Sequence, residues 1–116
     1  MNFLEGRSEG AGRIALDGSG SVSVSARIDA GRRLTVGIRP EHLAPCKPSE
    51  ANLVGSVEVI EALGADTLVH VAVAGRPIIA RLPHGSGAGV GEPIALAAAR
   101  DRVYLFDAES GARVTG

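Results

Sequence analysis

The residues of this 116-residue chain whose types could do chemistry are serines in glycine-rich stretches, three histidines, two nearby glutamates and one cysteine. A serine nucleophile needs a strained Gly-x-Ser-x-Gly elbow to expose its hydroxyl. Neither Gly18-Ser19-Gly20-Ser21 nor Gly85-Ser86-Gly87 supplies one. Gly10-Ala11-Gly12-Arg13-Ile14-Ala15 fits a loose dinucleotide pattern, but Asp17-Gly18-Ser19-Gly20 breaks the chain where a helix would have to follow. The sole lysine, Lys47, is preceded by Cys46, so the Gly-Lys pair of a P-loop is missing and this chain is not expected to be an ATPase by itself. His42, His70 and His84 fall on a turn, a strand and a loop without ligand spacing, which makes them surface histidines rather than a metal site. Glu58 and Glu61, three apart on a strand, point to opposite faces, which disfavours a paired-carboxylate hydrolase.

Composition narrows the classes further. One cysteine excludes a disulfide scaffold and a cysteine-based zinc site and suits a reducing compartment. A net charge of −1 gives no basic field for nucleic acid. The only aromatics are Phe3, Tyr104 and Phe106, too few and too far from the central strands for a base-stacking groove. No apolar run approaches the ~20 residues of a membrane span. Met1-Asn2-Phe3-Leu4-Glu5 lacks a signal peptide's basic start, so a cytoplasmic location is expected.

The elements that must position these residues read as strands. Ser21 to Arg27 alternates with period two, as do Leu34, Val36 and Ile38, and the two runs are expected to pair as a hairpin or near neighbours. Pro40-Glu41-His42-Leu43 reads as one helical turn with proline at its first position. Ala44 to Asn52, with two prolines, reads as a linker. Leu53 to Leu82 reads as a three-stranded meander. Val57 and Val59 share a face, Val69, Val71 and Val73 point inward, and Leu68, His70 and Ile79 point outward. Ile94, Leu96 and Ala98 form another strand, and Val103 to Phe106 a last one before a polar tail. Many short strands, glycine at the bends and no long amphipathic helix predict an all-β fold. The expected architecture is a small OB-like β-barrel of short antiparallel strands with one or two short helical turns.

Three blocks then carry a specific resemblance: Gly37-Ile38-Arg39-Pro40-Glu41-His42-Leu43, Gly55 to Thr67, and Asp101-Arg102-Val103-Tyr104-Leu105-Phe106-Asp107. In this order they resemble the C-terminal regulatory domain of the ATP-binding subunits of maltose and glycerol-3-phosphate type ABC importers, the transport-associated OB (TOBE) region. Met1-Asn2-Phe3-Leu4 resembles the point where those subunits leave the nucleotide-binding domain. The resemblance implies that residues 1–116 are a single regulatory domain, a fragment of a subunit whose nucleotide-binding domain would precede Met1. ATP and magnesium would belong to that parent subunit and no cofactor to this part. The implied partners are a second copy, membrane-spanning permease subunits at the inner membrane and cytoplasmic regulatory proteins, with no nucleic acid.

Arg39, Glu41 and His42 on the turn are candidate interface residues. A local reading of Arg39 pairs it with a neighbouring carboxylate. Leu68 and Ile79 join them as apolar residues on outward faces. The alternative is a small-ligand module, because related domains in molybdate systems bind oxyanions; Arg81, Ser86 and Gly87 would then be the donors.

Overall fold

In the computed structural model, which describes residues 1–18, 20–85 and 88–114, the strands lie in two antiparallel sheets. The first contains β1 (Asn2–Gly10), β2 (Arg13–Leu16), β3 (Ser21–Ser23), β4 (Arg33–Ile38), β10 (Val103–Asp107) and β11 (Arg113–Val114), in the order β11-β10-β4-β1-β2-β3. The second contains β5 (Leu43–Pro45), β6 (Leu53–Ala62), β7 (Asp66–Val73), β8 (Arg76–Pro83) and β9 (Pro93–Ala98), in the order β5-β9-β6-β7-β8. The two ends of the second sheet, β5 and β8, touch, so its five strands nearly close into an OB-like barrel. Short 3₁₀ turns, Pro40–His42, Pro48–Glu50 and Arg100–Arg102, are the helical segments among the described residues, one more than the sequence suggests.

Period-two alternation explains how one core serves both sheets. Leu4, Leu34, Val36, Ile38 and Leu105 from the first meet Val69, Val71, Ile78, Ala80, Leu82 and Leu96 from the second. The buried apolar residues are Leu, Ile, Val and Ala alone; every aromatic side chain lies outside. β6 belongs to two partnerships, its first half paired with β9 and its second with β7. Gly55 sits near the handover, where a Cβ would run into the Ala72 carbonyl oxygen, so only glycine lets β6 pass that close.

Several sequence expectations change. β3 and β4 are not neighbours: β1 and β2 lie between them, because the N-terminal residues form a nine-residue strand that claims the β4 edge. That strand was missed because Gly6, Gly10 and charged residues dilute its alternation. β3 ends at Ser23, although Val24 and Ile28 still pack inward. The Ala44 to Asn52 stretch is not a plain linker, since β5 pairs with β9 and a 3₁₀ turn follows. The polar tail contributes β11, paired with β10. Finally, Val57 and Val59 do not share a face. A bulge between them opposes Val57 to Val71 and Val59 to His70, so Val57 is buried and Val59 is 49% exposed.

The Gly10 to Ala15 stretch is the β1–β2 hairpin rather than a phosphate loop. Its central residues Ala11 (φ 54°) and Gly12 (φ 74°) are both left-handed, as a type I′ turn requires.

Candidate functional site: the outward face of β6, β7 and β8

The meander turns one face to the core and leaves the other as a broad, twisted surface. Register fixes what that surface carries. Val59, His70 and Ile79 lie abreast across β6, β7 and β8, and Glu61, Leu68 and Arg81 form the next row. Val59 is exposed, whereas Leu68, His70 and Ile79 are half-buried by their neighbours. The rows therefore place three aliphatic side chains among one arginine–carboxylate ion pair and one histidine–carboxylate contact. His70 Nε2 contacts Glu61 Oε1, and Arg81 Nε donates to Asp66 Oδ2 at 2.8 Å. Exposed pairs of this kind contribute ~0–1 kcal/mol each, so they set the charge pattern more than the stability.

The open edge of β8 is held by a side chain. Asn2, inward-facing on β1, donates its Nδ2 to the Ile79 carbonyl at 2.7 Å and accepts the Ile79 N–H on Oδ1 at 2.8 Å. One amide thus replaces a missing strand and ties the two sheets together. Asn52 does the same further along. Its Nδ2 donates to the Ser21 carbonyl at 2.9 Å and its Oδ1 accepts the Ala98 N–H at 2.8 Å. Neither clamp was anticipated; the available signal was a polar residue at an inward position beside apolar neighbours.

The Pro40–His42 turn packs against β8, so Glu41 and His42 lie beside the strand that carries Ile79 and Arg81. Proline at its first position and the Arg39 carbonyl accepting the His42 N–H at 2.9 Å close the turn. The Glu41 carboxyl is held below the usual range. Its own backbone N–H is the main cause, with the charges of His42, Arg39 and Arg81 adding to it. His42 is half-buried, and its Nδ1 is buried without a hydrogen-bond partner.

Four of the five candidates, Glu41, His42, Leu68 and Ile79, therefore gather on β7, β8 and the adjoining turn. Arg39 departs from them: its guanidinium lies 5.7 Å from the Tyr104 ring centroid, on the outward face of the other sheet. Among the described residues no carboxylate pairs with it, contrary to the local reading. The face also contains Val59, which the sequence pattern puts on the same face as Val57 because a bulge leaves no mark in a hydrophobic pattern.

Only one of the three oxyanion candidates lies among the described residues. Arg81 is engaged by Asp66, and Ser86 and Gly87 lie outside the described residues. Burial pushes the Cys46 thiol up, with the nearby charge of Glu50 adding to it, so it carries little of the thiolate that reactivity needs. No described helix is long and apolar enough to cross a membrane.

The profile of the TOBE domain matches residues 36–106, and that of the MalK OB fold domain matches residues 1–43. Among curated proteins, the chain is similar to the sn-glycerol-3-phosphate import ATP-binding protein UgpC of Escherichia coli strain K12, at 36% identity over 98% of this chain and 33% of the relative. It is likewise similar to UgpC of Paraburkholderia xenovorans, at 35% identity over 97% and 33% of the two chains. UgpC of Chromobacterium violaceum matches at 37% identity over 98% and 32%. The chain thus spans about a third of the length of these relatives. Among solved structures, the cytoplasmic molybdate-binding protein ModG, with molybdate bound, superposes with a TM-score of 0.75 at 18% identity, over 90% of this chain and 94% of that one. That likeness concerns the fold. With a profile match across most of its length and the expected barrel, the chain belongs to the TOBE domain family.

Proposed function

We propose that this chain is the non-catalytic regulatory and dimerisation domain of the ATP-binding subunit of an ABC importer for sugars, polyols or glycerol-3-phosphate. The observation that carries the reading is that import ATP-binding proteins match the chain over nearly its whole length, while the chain covers only about a third of theirs. ATP and magnesium then belong to the remaining two-thirds, as do the contacts to permease subunits on the cytoplasmic side of the membrane. What this part contributes is a rigid handle. An aliphatic-cored barrel with its β8 edge clamped by Asn2 changes shape little, and Val59, Leu68 and Ile79 give it an apolar centre rimmed by Glu61, Arg81 and Glu41. A two-fold pairing needs only one self-complementary patch, and a patch that carries both acid and base can meet its own copy without net repulsion.

The test is sedimentation equilibrium of the chain with Leu68→Asp and Ile79→Asp. The wild type should dimerise as concentration rises, and each variant should weaken it, because either would bury an unpaired charge. A strict monomer up to millimolar concentration removes the handle reading for this chain. An unchanged dimer in both variants moves the interface elsewhere. The oxyanion module is the second reading, supported by the shared fold of a molybdate-bound neighbour. It is the weaker one, because the arginine it needs is already occupied by Asp66.

A further inference from the structure

Arginines in this chain divide into two groups. Arg13, Arg32, Arg33 and Arg81 each have a carboxylate within 3.0 Å. Arg7, Arg27, Arg39, Arg76, Arg100, Arg102 and Arg113 have none among the described residues, and two of these, Arg39 and Arg113, lie against one tyrosine, Tyr104. Arg113 lies 4.9 Å and Arg39 5.7 Å from the Tyr104 ring centroid, and Arg100 and Arg113 line a cleft with that ring. The cleft, of about 340 Å³, runs between β10–β11 and residues 24–26, and it adjoins a second that shares Ser25 and Arg100.

The composition of its wall is selective. Arg100, Arg113, the Ser25 hydroxyl and the Tyr104 hydroxyl supply donors, and Asp101 is the one carboxylate beside them. Val24, Val103, Leu105 and Val114 supply an apolar side. Like charges do not gather around one ring without cost, and cation–π attraction at an exposed ring offsets only part of it. An anion with several acceptor oxygens would satisfy two guanidinium forks and two hydroxyls together. The apolar side would then take a short carbon skeleton, and the cleft's size suits a small ligand.

We propose that the Arg100–Arg113–Tyr104 cleft binds a small phosphate monoester, the two guanidinium groups taking the phosphoryl oxygens, with Arg39 near the same ring. This site lies on the first sheet, away from the β6–β8 surface, and stands or falls independently of dimerisation.

The chain carries its own probe. Tyr104 is its only tyrosine and it has no tryptophan, so tyrosine emission reports this cleft alone. Inorganic phosphate and sn-glycerol 3-phosphate are titrated separately at constant ionic strength, with chloride as control. Both should give a saturable change, the ester at lower concentration. Arg100→Gln and Arg113→Gln should each weaken binding by about tenfold or more, as loss of a charge-assisted contact implies. Arg13→Gln, remote and paired with Glu9, should leave it unchanged. Saturable shifts of the arginine Nε–Hε resonances in the unaltered chain provide the same readout should a variant fold poorly. Absence of any saturable response to either compound overturns the site. Binding that survives both glutamine variants also overturns it, and tighter binding of inorganic phosphate than of the ester overturns the ester assignment.

Discussion

The outward faces of the two sheets are built from different chemistry. On β6–β7–β8 the apolar residues are aliphatic, and acids and bases alternate around them. On β1–β4–β10 every aromatic residue of the chain collects: Phe3 and Phe106 meet edge to face with centroids 6.0 Å apart, and Tyr104 stands among unpaired arginines. Gly37 sits between them because any Cβ there would meet Met1 Sδ at 2.6 Å and the Phe106 ring at 3.1 Å. The core between the faces is purely aliphatic. Aromatics kept out of the core stabilise little by burial, so their placement speaks for recognition. A surface of mixed charge suits a second copy of itself, whereas a cationic aromatic one suits an anion.

The largest expected effect separates the faces from each other. Asn2→Ala removes two hydrogen bonds and leaves the Ile79 N–H and carbonyl unpartnered, which should cost about 2–4 kcal/mol in urea unfolding. Asn52→Ala should behave alike. A cost no larger than that of an exposed substitution would mean that water closes the β8 edge as well as Asn2 does.

The next tests whether the faces differ in association. Val59→Asp should weaken dimerisation by about tenfold or more through a buried unpaired charge, while Phe3→Asp should leave it unchanged. Both residues are exposed, so stability should barely move in either variant, and equal effects on dimerisation would erase the distinction.

Acid should weaken the aromatic side through one carboxylate. Asp107, at the end of β10, accepts backbone N–H groups from Ser110 and Glu109 and the Arg32 guanidinium, and its carboxyl is lowered to about 2. A carboxylate with a depressed folded pKa stabilises the fold above its ordinary value of 3.8, and that stabilisation fades as pH falls from there towards 2. Asp17, lowered by its hydrogen bond to Arg33, adds in the same direction. Unfolding midpoints measured between pH 5 and pH 2 should therefore drop, and Asp107→Asn should be less stable at pH 5 and show a shallower drop. A parallel drop in the variant would assign the acid sensitivity to other carboxylates.

The smallest effect concerns a hairpin. Asn tolerates the left-handed backbone that Ala11 occupies, so Ala11→Asn should raise stability by roughly 0.5–1 kcal/mol. No gain in thermal unfolding would mean that the turn relaxes away from type I′.

How much of this was legible in the sequence depends on the physical signal each feature leaves. The meander was readable because Val69, Val71 and Val73 against Leu68 and His70 follow a clean period of two. The Pro40 turn was readable because proline and a following acid mark a first turn. β1 was hidden, since Gly6 and Ser8 occupy inward positions where a pattern reader looks for aliphatics. Val59 was misplaced because a bulge shifts phase without changing composition. Convergence of Arg39, Arg113 and Tyr104 depends on strand order, which pairs residues from distant parts of the chain, and no local spacing encodes it. The partners of Asn2 and Asn52 were hidden for the same reason, although a polar residue at an inward position marks where such a clamp can sit.

The central claim is that the outward face of β6–β7–β8 is the surface through which two copies meet. A dilution series of amide ¹H–¹⁵N spectra from micromolar to millimolar concentration tests it residue by residue. Concentration-dependent shifts at Val59, Leu68, His70, Ile79, Arg81 and the Glu41–His42 turn, with Phe3, Thr35 and Phe106 unmoved, are the predicted result. Spectra that do not change with concentration, or shifts centred on β1–β4–β10, would contradict it.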